Sequence, residues 1–195
     1  AWPEEEDPVV LMYTGGTTGL PKGVVLTQRA EILNLYHGRI ARPGLGDDTV
    51  NLIQTPMFHI ASMGALLSTY AVGGTTVLVP GFEPEPVMGQ FERHKVTATL
   101  MVPTMIGMMV NHPSFTPERL SSLQQLTYGA SPMPLVLLEK LKKLAPHISL
   151  YQGYGMTESS ASLTNLSPED HDKGGQLLKS VGRPVAAVDV SIRDD

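Results

Sequence analysis

Cysteine is absent from all 195 residues. That excludes a disulfide framework, a thiolate nucleophile and a cysteine-based zinc site. Positive charge is scarce: 14 Lys and Arg against 19 Asp and Glu leave a formal net charge of -5. Without a basic footprint, nucleic acid is not expected as the main partner. Nor is there a Lys/Arg cluster of the kind that binds anionic membranes. No apolar run is long enough to span a bilayer, so no transmembrane segment is expected. Residues 1–7 are acidic and show neither the basic nor the apolar part of a signal peptide. A cytoplasmic setting is the expectation. Repeats and low-complexity segments are lacking as well. The chain opens without methionine and closes just after an apparent strand, which reads as a piece of a longer protein, or else as a small protein with a processed start.

What remains is globular in balance, 42% hydrophobic and 17% charged. Short apolar runs alternate with helix-length segments. Residues 9–13, 50–54, 75–79, 96–101, 123–128 and 148–151 read as strands. Residues 28–41, 61–71, 84–94, 103–110 and 134–144 read as helices, with Ile32, Leu33, Tyr36 and Ile40 near one face of the first. This alternation predicts an α/β fold, mostly a parallel sheet with flanking helices. Residues 185–192 alternate differently and are expected to open a second sheet.

In such sheets ligands bind beyond the carboxyl ends of the strands. Four segments follow strands directly: residues 14–23, 55–62, 129–134 and 152–160. All four are expected on one sheet edge, lining one cleft. The first is Tyr13-Thr14-Gly15-Gly16-Thr17-Thr18-Gly19-Leu20-Pro21-Lys22-Gly23. Its glycines let backbone N–H groups approach phosphate, its threonines add hydroxyls, and Lys22 adds a point charge. It is not a Walker A loop, because Pro21 precedes Lys22 and Gly23 follows it where Ser or Thr is required. The plainer reading is a turn between two strands.

Pro56-Met57-Phe58-His59 follows the next strand, where a histidine beside an aromatic is a gate, a donor or plain packing. Gly129-Ala130-Ser131-Pro132 offers small residues against which a flat ring can lie, or a helix start capped by Ser131. Tyr154-Gly155-Met156-Thr157-Glu158 holds an aromatic face, a hydroxyl and a carboxylate suited to a magnesium ion that also binds phosphates. Tyr154 as surface packing and Glu158 as a solvated helix start are the structural alternatives. Lys140, Lys142 and Lys143 read as a solvated helix face, and Met101, Met105, Met108 and Met109 as core.

These segments together resemble the adenylate-forming superfamily, which includes acyl-CoA synthetases, luciferase and the adenylation domains of peptide synthetases. The glycine-rich stretch matches the family signature except at Gly15, where the family usually carries serine. The segment from Tyr154 to Glu158 matches the family's Tyr-Gly-x-Thr-Glu motif, and residues 181–184 resemble a weaker Gly-Arg-Pro element. The resemblance runs from Val9 to about Val190. It implies that the chain is part of the large N-terminal domain of an adenylate-forming enzyme, residues 1–195 being a partial AMP-binding domain without the small C-terminal domain. By the same resemblance Thr14, Gly15, Gly16, Thr17, Thr18, Gly19 and Lys22 hold the phosphates of ATP. Gly129, Ala130, Ser131, Tyr154 and Gly155 flank adenine, Phe58 and His59 border the acid, and Thr157 contacts phosphate. Glu158 binds Mg²⁺, and Lys22, Thr157 and Glu158 form the catalytic set.

The implied activity is ATP-dependent activation of a small-molecule carboxylic acid, then transfer to coenzyme A. A fatty or aromatic acid is expected, and acyl-CoA synthetases are the nearest branch. The rivals are an amino-acid adenylation domain of a peptide synthetase and a non-catalytic nucleotide-binding module. Neither the acid nor the oligomeric state can be read from the residues.

Overall fold

The computed structural model describes residues 2–15 and 19–194. Two strands, β1 (Pro8–Thr14) and β2 (Lys22–Thr27), form a separate antiparallel ribbon in which Thr14 faces Lys22 and Tyr13 faces Gly23. Residues on either side of the glycine-rich segment are thus paired as a hairpin, Thr14 with Lys22. Helix α1 (Gln28–Ala41) follows without a gap, because the Thr27 hydroxyl accepts from the Ala30 N–H at 3.3 Å and caps it.

The next elements alternate as expected: β3 (Val50–Ile53), α2 (Ile60–Ala71), β4 (Thr75–Leu78), α3 (Pro84–His94), β5 (Ala98–Met101), α4 (Pro103–Val110), β6 (Gln125–Gly129), α5 (Leu135–Leu144) and β7 (Ser149–Tyr154). The strands stand in the order β4-β3-β5-β6-β7, all parallel. Proline in the first turn starts α3 and α4, where its missing N–H would have had no helical partner. Two short strands, β8 (Thr164–Leu166) and β9 (Arg183–Pro184), extend the sheet antiparallel beyond β7, with α6 (Pro168–Lys173) between them.

The two faces of the parallel sheet differ in kind. Successive strand residues point to opposite sides, and the register sorts them into rows. Leu52, Leu126 and Leu150, with Met101 and Tyr128, turn toward Val87, Met88 and Phe91 of α3, Ile106 and Met109 of α4, and Leu138 and Leu141 of α5. Here lies the packed core. The opposite rows are mostly small or polar, Leu100 and Tyr151 being the large members: Asn51, Ala98 and Gln125; Leu100, Thr127 and Tyr151; Gly129 and Gly153. That side faces α1 and α2, and Asn51 donates to Thr69 of α2 at 2.8 Å.

The apolar stripe of α1 lies on its outer face: Ile32, Leu33, Tyr36 and Ile40 are exposed, whereas Glu31, Asn34 and Gly38 are buried. The helix lies over the polar face of the sheet, so its polar stripe is the one enclosed. Two expectations are corrected. Residues 185–192 do not form a strand, since ladder bonds need a partner and Ile192 is 97% exposed. Instead Arg183–Pro184 joins the existing sheet. Ser131 does not cap α5, whose first turn follows Pro134 with no side-chain cap. The methionines are core as expected except Met108, which is exposed. Lys142 pairs with Asp172 at 2.9 Å rather than standing free.

Candidate active site

Small side chains on both sides leave a cavity of about 400 Å³ between α1, α2 and the polar face of the sheet. Its walls include Gly38 and Ala41 of α1, Gly64 and Ala65 of α2, and Thr127 of β6. Its mouth lies at the carboxyl ends of β3, β6 and β7, where His59, Gly129, Ala130, Gly155 and Thr157 stand on its rim. The volume suits a small organic ligand.

Close backbone contacts shape this rim. Gly129 faces Gly153 across the β6–β7 ladder, and a Cβ on Gly129 would lie 2.4 Å from the Gly153 carbonyl oxygen. A Cβ on Gly155 would lie 1.5 Å from the carbonyl oxygen of Ala161. Ala130, Ser160 and Ala161 hold φ of 66°, 53° and 85°. Each costs about 1–2 kcal/mol for a residue with a Cβ. Strain of this kind collects where a loop is held for a purpose other than stability. The turn at Thr157–Ser159 is fixed by the Met156 N–H donating to the Ser159 hydroxyl at 3.1 Å. Strand β2 packs against that turn, so the hairpin, which carries Lys22, stands beside Thr157 and Glu158.

Among the described residues no aspartate or glutamate lines the cavity; its ionisable wall groups include His37, Arg42 and His59. Burial pushes the His37 and Arg42 values down. Behind the wall, burial raises the Glu31 carboxyl above the ordinary carboxylate value, and the Ser160 hydroxyl beside it offsets this only in part. Neither Glu31 oxygen has a hydrogen bond of normal geometry.

Comparison with known proteins decides the family. A family profile described as AMP-binding enzyme matches residues 1–195. The chain belongs to the AMP-binding enzyme family. It is 35% identical over 187 residues to a 2-succinylbenzoate–CoA ligase of Bacillus pumilus, covering 94% of this chain and 36% of that protein. It is 34% identical over 188 residues to a feruloyl-CoA synthase of Amycolatopsis, covering 96% and 37%. An O-succinylbenzoate CoA synthetase of Bacillus subtilis, solved with ATP and magnesium ion, superposes with a TM-score of 0.86 at 32% identity, over 98% of this chain and 38% of that one. The chain thus spans little more than a third of the length of these AMP-binding relatives.

Within that family frame, the expected site residues fall into three groups. His59, Gly129, Ala130, Gly155 and Thr157 border the cavity. Phe58, Ser131, Tyr154 and Glu158 are exposed outside it, Phe58 tilted against the His59 ring at 4.6 Å. Thr14, Gly15, Gly19 and Lys22 belong to the hairpin, while Gly16, Thr17 and Thr18 lie outside the described residues. The expectation of four loops on one sheet edge is corrected to three, because among the described residues β1 pairs with β2 in a separate ribbon and not with the parallel sheet. Sequence reading missed the inner faces of α1 and α2. The signal was available as Glu31, Asn34 and Gly38 at helical spacing, and as Gly64 and Ser68 four apart.

A single carboxylate, Glu158, fits a magnesium ion whose other ligands are phosphate oxygens and water. No cluster of three or more metal-binding side chains occurs among the described residues. No helix among them is long and apolar enough to cross a membrane.

Proposed function

We propose that this chain is part of the adenylation domain of a carboxylic acid–CoA ligase, and that the intact protein adds the small C-terminal domain. One observation carries the reading. Strand β2 of the hairpin, which carries Lys22, abuts the Thr157–Ser159 turn at the mouth of a cavity lined by no carboxylate among the described residues. A polyphosphate held by the hairpin and an acid in the cavity would meet at Thr157.

The chemistry needs positioning and charge neutralisation rather than a nucleophilic side chain. An oxygen of the acid attacks the α-phosphorus of ATP. The bond from that phosphorus to the bridging oxygen breaks, and pyrophosphate leaves. The thiol of coenzyme A then attacks the acyl carbon, the bond to phosphate oxygen breaks, AMP departs, and the thiol proton goes to solvent. Lys22 and the hairpin's N–H groups hold phosphate, Thr157 donates to the α-phosphate, and Glu158 holds Mg²⁺. Magnesium, when bound, offsets phosphate charge. Gly129, Ala130 and Tyr154 flank the adenine, and Phe58 and His59 stand at the entry for the acid. The named relatives, ligases of succinylbenzoate and a feruloyl-CoA synthase, support an aromatic acid, and a fatty acid is the other class to test. A cytoplasmic setting suits a cysteine-free chain that consumes ATP and coenzyme A.

The test is acid-dependent pyrophosphate release by the intact protein, with ATP, Mg²⁺ and a panel of fatty, aromatic and amino acids. Release with one class, followed by CoA-dependent AMP formation, is expected. ATP binding with no release across the panel would overturn the ligase reading.

A further inference from the structure

The cavity continues inward from its rim along α2, which runs from the carboxyl to the amino edge of the sheet. Ser68 stands seven residues beyond Ala61, about 10 Å deeper at the helical rise. At this inner end the wall changes character. Arg42, the last residue before α1 gives way to its following loop, lines the cavity together with Ser68 and Gly38. A Cβ on Gly38 would lie 2.8 Å from Nη2 of Arg42 and 3.6 Å from Oγ of Ser68, so guanidinium and hydroxyl converge on the gap that this glycine leaves. Arg42 takes no part in the ion pairs formed among the described residues. Among the described residues its backbone N–H donates to the Gly38 carbonyl at 3.0 Å, and its side chain makes no hydrogen bond.

Asn34 adds a polar group part-way along the cavity, about two turns of α1 before Arg42. It lines the same cavity at 6% exposure, and its Oδ1 is buried without a hydrogen-bond partner. Its Nδ2 stands 3.5 Å from where a Gly64 Cβ would be. A half-turn of the amide exchanges O and N at no packing cost. Asn34 therefore serves a ligand atom of either kind, and the charge preference comes from Arg42. Arginine remains protonated throughout the physiological range, and the half-buried Arg42 gains from a partner of opposite sign in the cavity. Burial lowers the Arg42 value, and the Tyr151 phenol nearby offsets this in part.

We infer that the inner end of the cavity holds a second anionic group of the substrate, so that the acid activated at the rim is a dicarboxylic acid whose distal carboxylate pairs with Arg42, beside Ser68. This rests on the ligase reading and narrows it. The two carboxylates would stand roughly 10 Å apart, the length of the cavity along α2. A site built to bond a polar group discriminates strongly against the analogue that lacks it, because its own polar atoms are then left unpaired.

The test compares the intact enzyme with its Arg42→Met and Arg42→Lys variants, using monocarboxylic and dicarboxylic acids of matched length and ring content. Acid-dependent pyrophosphate release is read as the kcat/KM ratio, diacid over monoacid. The wild type is expected to favour the diacid by about tenfold or more. Arg42→Met should collapse that ratio chiefly through KM, and Arg42→Lys should keep most of it. Turnover of monoacids with a ratio near one in all three proteins would overturn the inference and leave the ligase reading standing. Absence of release with every acid would overturn the ligase reading itself.

Discussion

Gly155→Ala isolates the rim of the cavity from the rest of the molecule. The added Cβ would lie 1.5 Å from the Ala161 carbonyl oxygen, whereas real Cβ contacts essentially never fall under 3.0 Å. The carbonyl must retreat by about 1.5 Å. It cannot do so alone, because Ala161 N–H donates to the Met156 carbonyl at 3.1 Å and Leu163 N–H to the Tyr154 carbonyl at 2.9 Å. The displacement therefore passes to the Thr157–Ser159 turn and carries Thr157 and Glu158 with it. A misplacement of about 1 Å costs roughly 100-fold in rate, or about 2.7 kcal/mol of transition-state stabilisation. Stability should suffer less, by about 1 kcal/mol for each backbone bond lost, since the turn lies outside the packed core. The assay is acid-dependent pyrophosphate release by the intact enzyme, alongside urea denaturation. Gly89→Ala on α3 is the control: its Cβ would meet nothing within 4 Å. It should leave turnover alone and stabilise by about 0.5–1 kcal/mol. A Gly155→Ala enzyme within threefold of wild-type kcat/KM would refute the reasoning.

Three further outcomes follow from the same structure. Lys22→Ala and Glu158→Gln should each depress acid-dependent pyrophosphate release by about 100-fold or more, with Glu158→Gln also raising the Mg²⁺ concentration needed for half-maximal rate; unchanged metal dependence would count against Glu158 as a ligand. Tyr128→Phe removes the hydroxyl that donates to the buried His171 Nε2 at 2.8 Å, and should cost about 1–3 kcal/mol in urea denaturation because the imidazole is left unpaired. His171 is neutral in the fold, its Nδ1–H donating to the Ser167 carbonyl at 2.7 Å, and burial pushes its value below the ordinary 6.5. The unfolded chain then binds the proton first. Stability should hold above that pH and fall below it, by at most about 1.4 kcal/mol per pH unit from this group, in denaturation curves recorded from pH 7.5 to 5.5.

Local rules carried much of the architecture. Residues 28–41, 84–94 and 103–110 are helices with the ends expected, because Thr27, Pro84 and Pro103 mark their starts chemically. Strand β2 has no bounds legible in sequence, although a turn between two strands is one reading of the glycine-rich stretch, and its pairing with β1 fixes it as residues 22–27. Strands β8 and β9 are too short for any periodicity to show. The orientation of α1 was out of reach for a different reason. A stripe of Ile32, Leu33, Tyr36 and Ile40 is visible in sequence, but which side of a helix is enclosed depends on what lies beneath it. The rim residues of the candidate site came from long contiguous motifs. Its inner wall is scattered over α1, α2 and three strands, and no contiguous signal joins Asn34, Arg42 and Ser68.

The unequal faces of the sheet separate two kinds of tolerance to mutation. Positions such as Leu126, Leu138 and Phe91 interlock, so a change at one must be met by its neighbours or the fold weakens. Positions such as Ala41, Ala65 and Thr127 border empty space. There a side chain can lengthen, shrink or change polarity with little to displace. Variation on that side reshapes the chamber while the opposite side keeps the chain folded. A single scaffold can in this way be refitted to acids of different outline without first being made more stable.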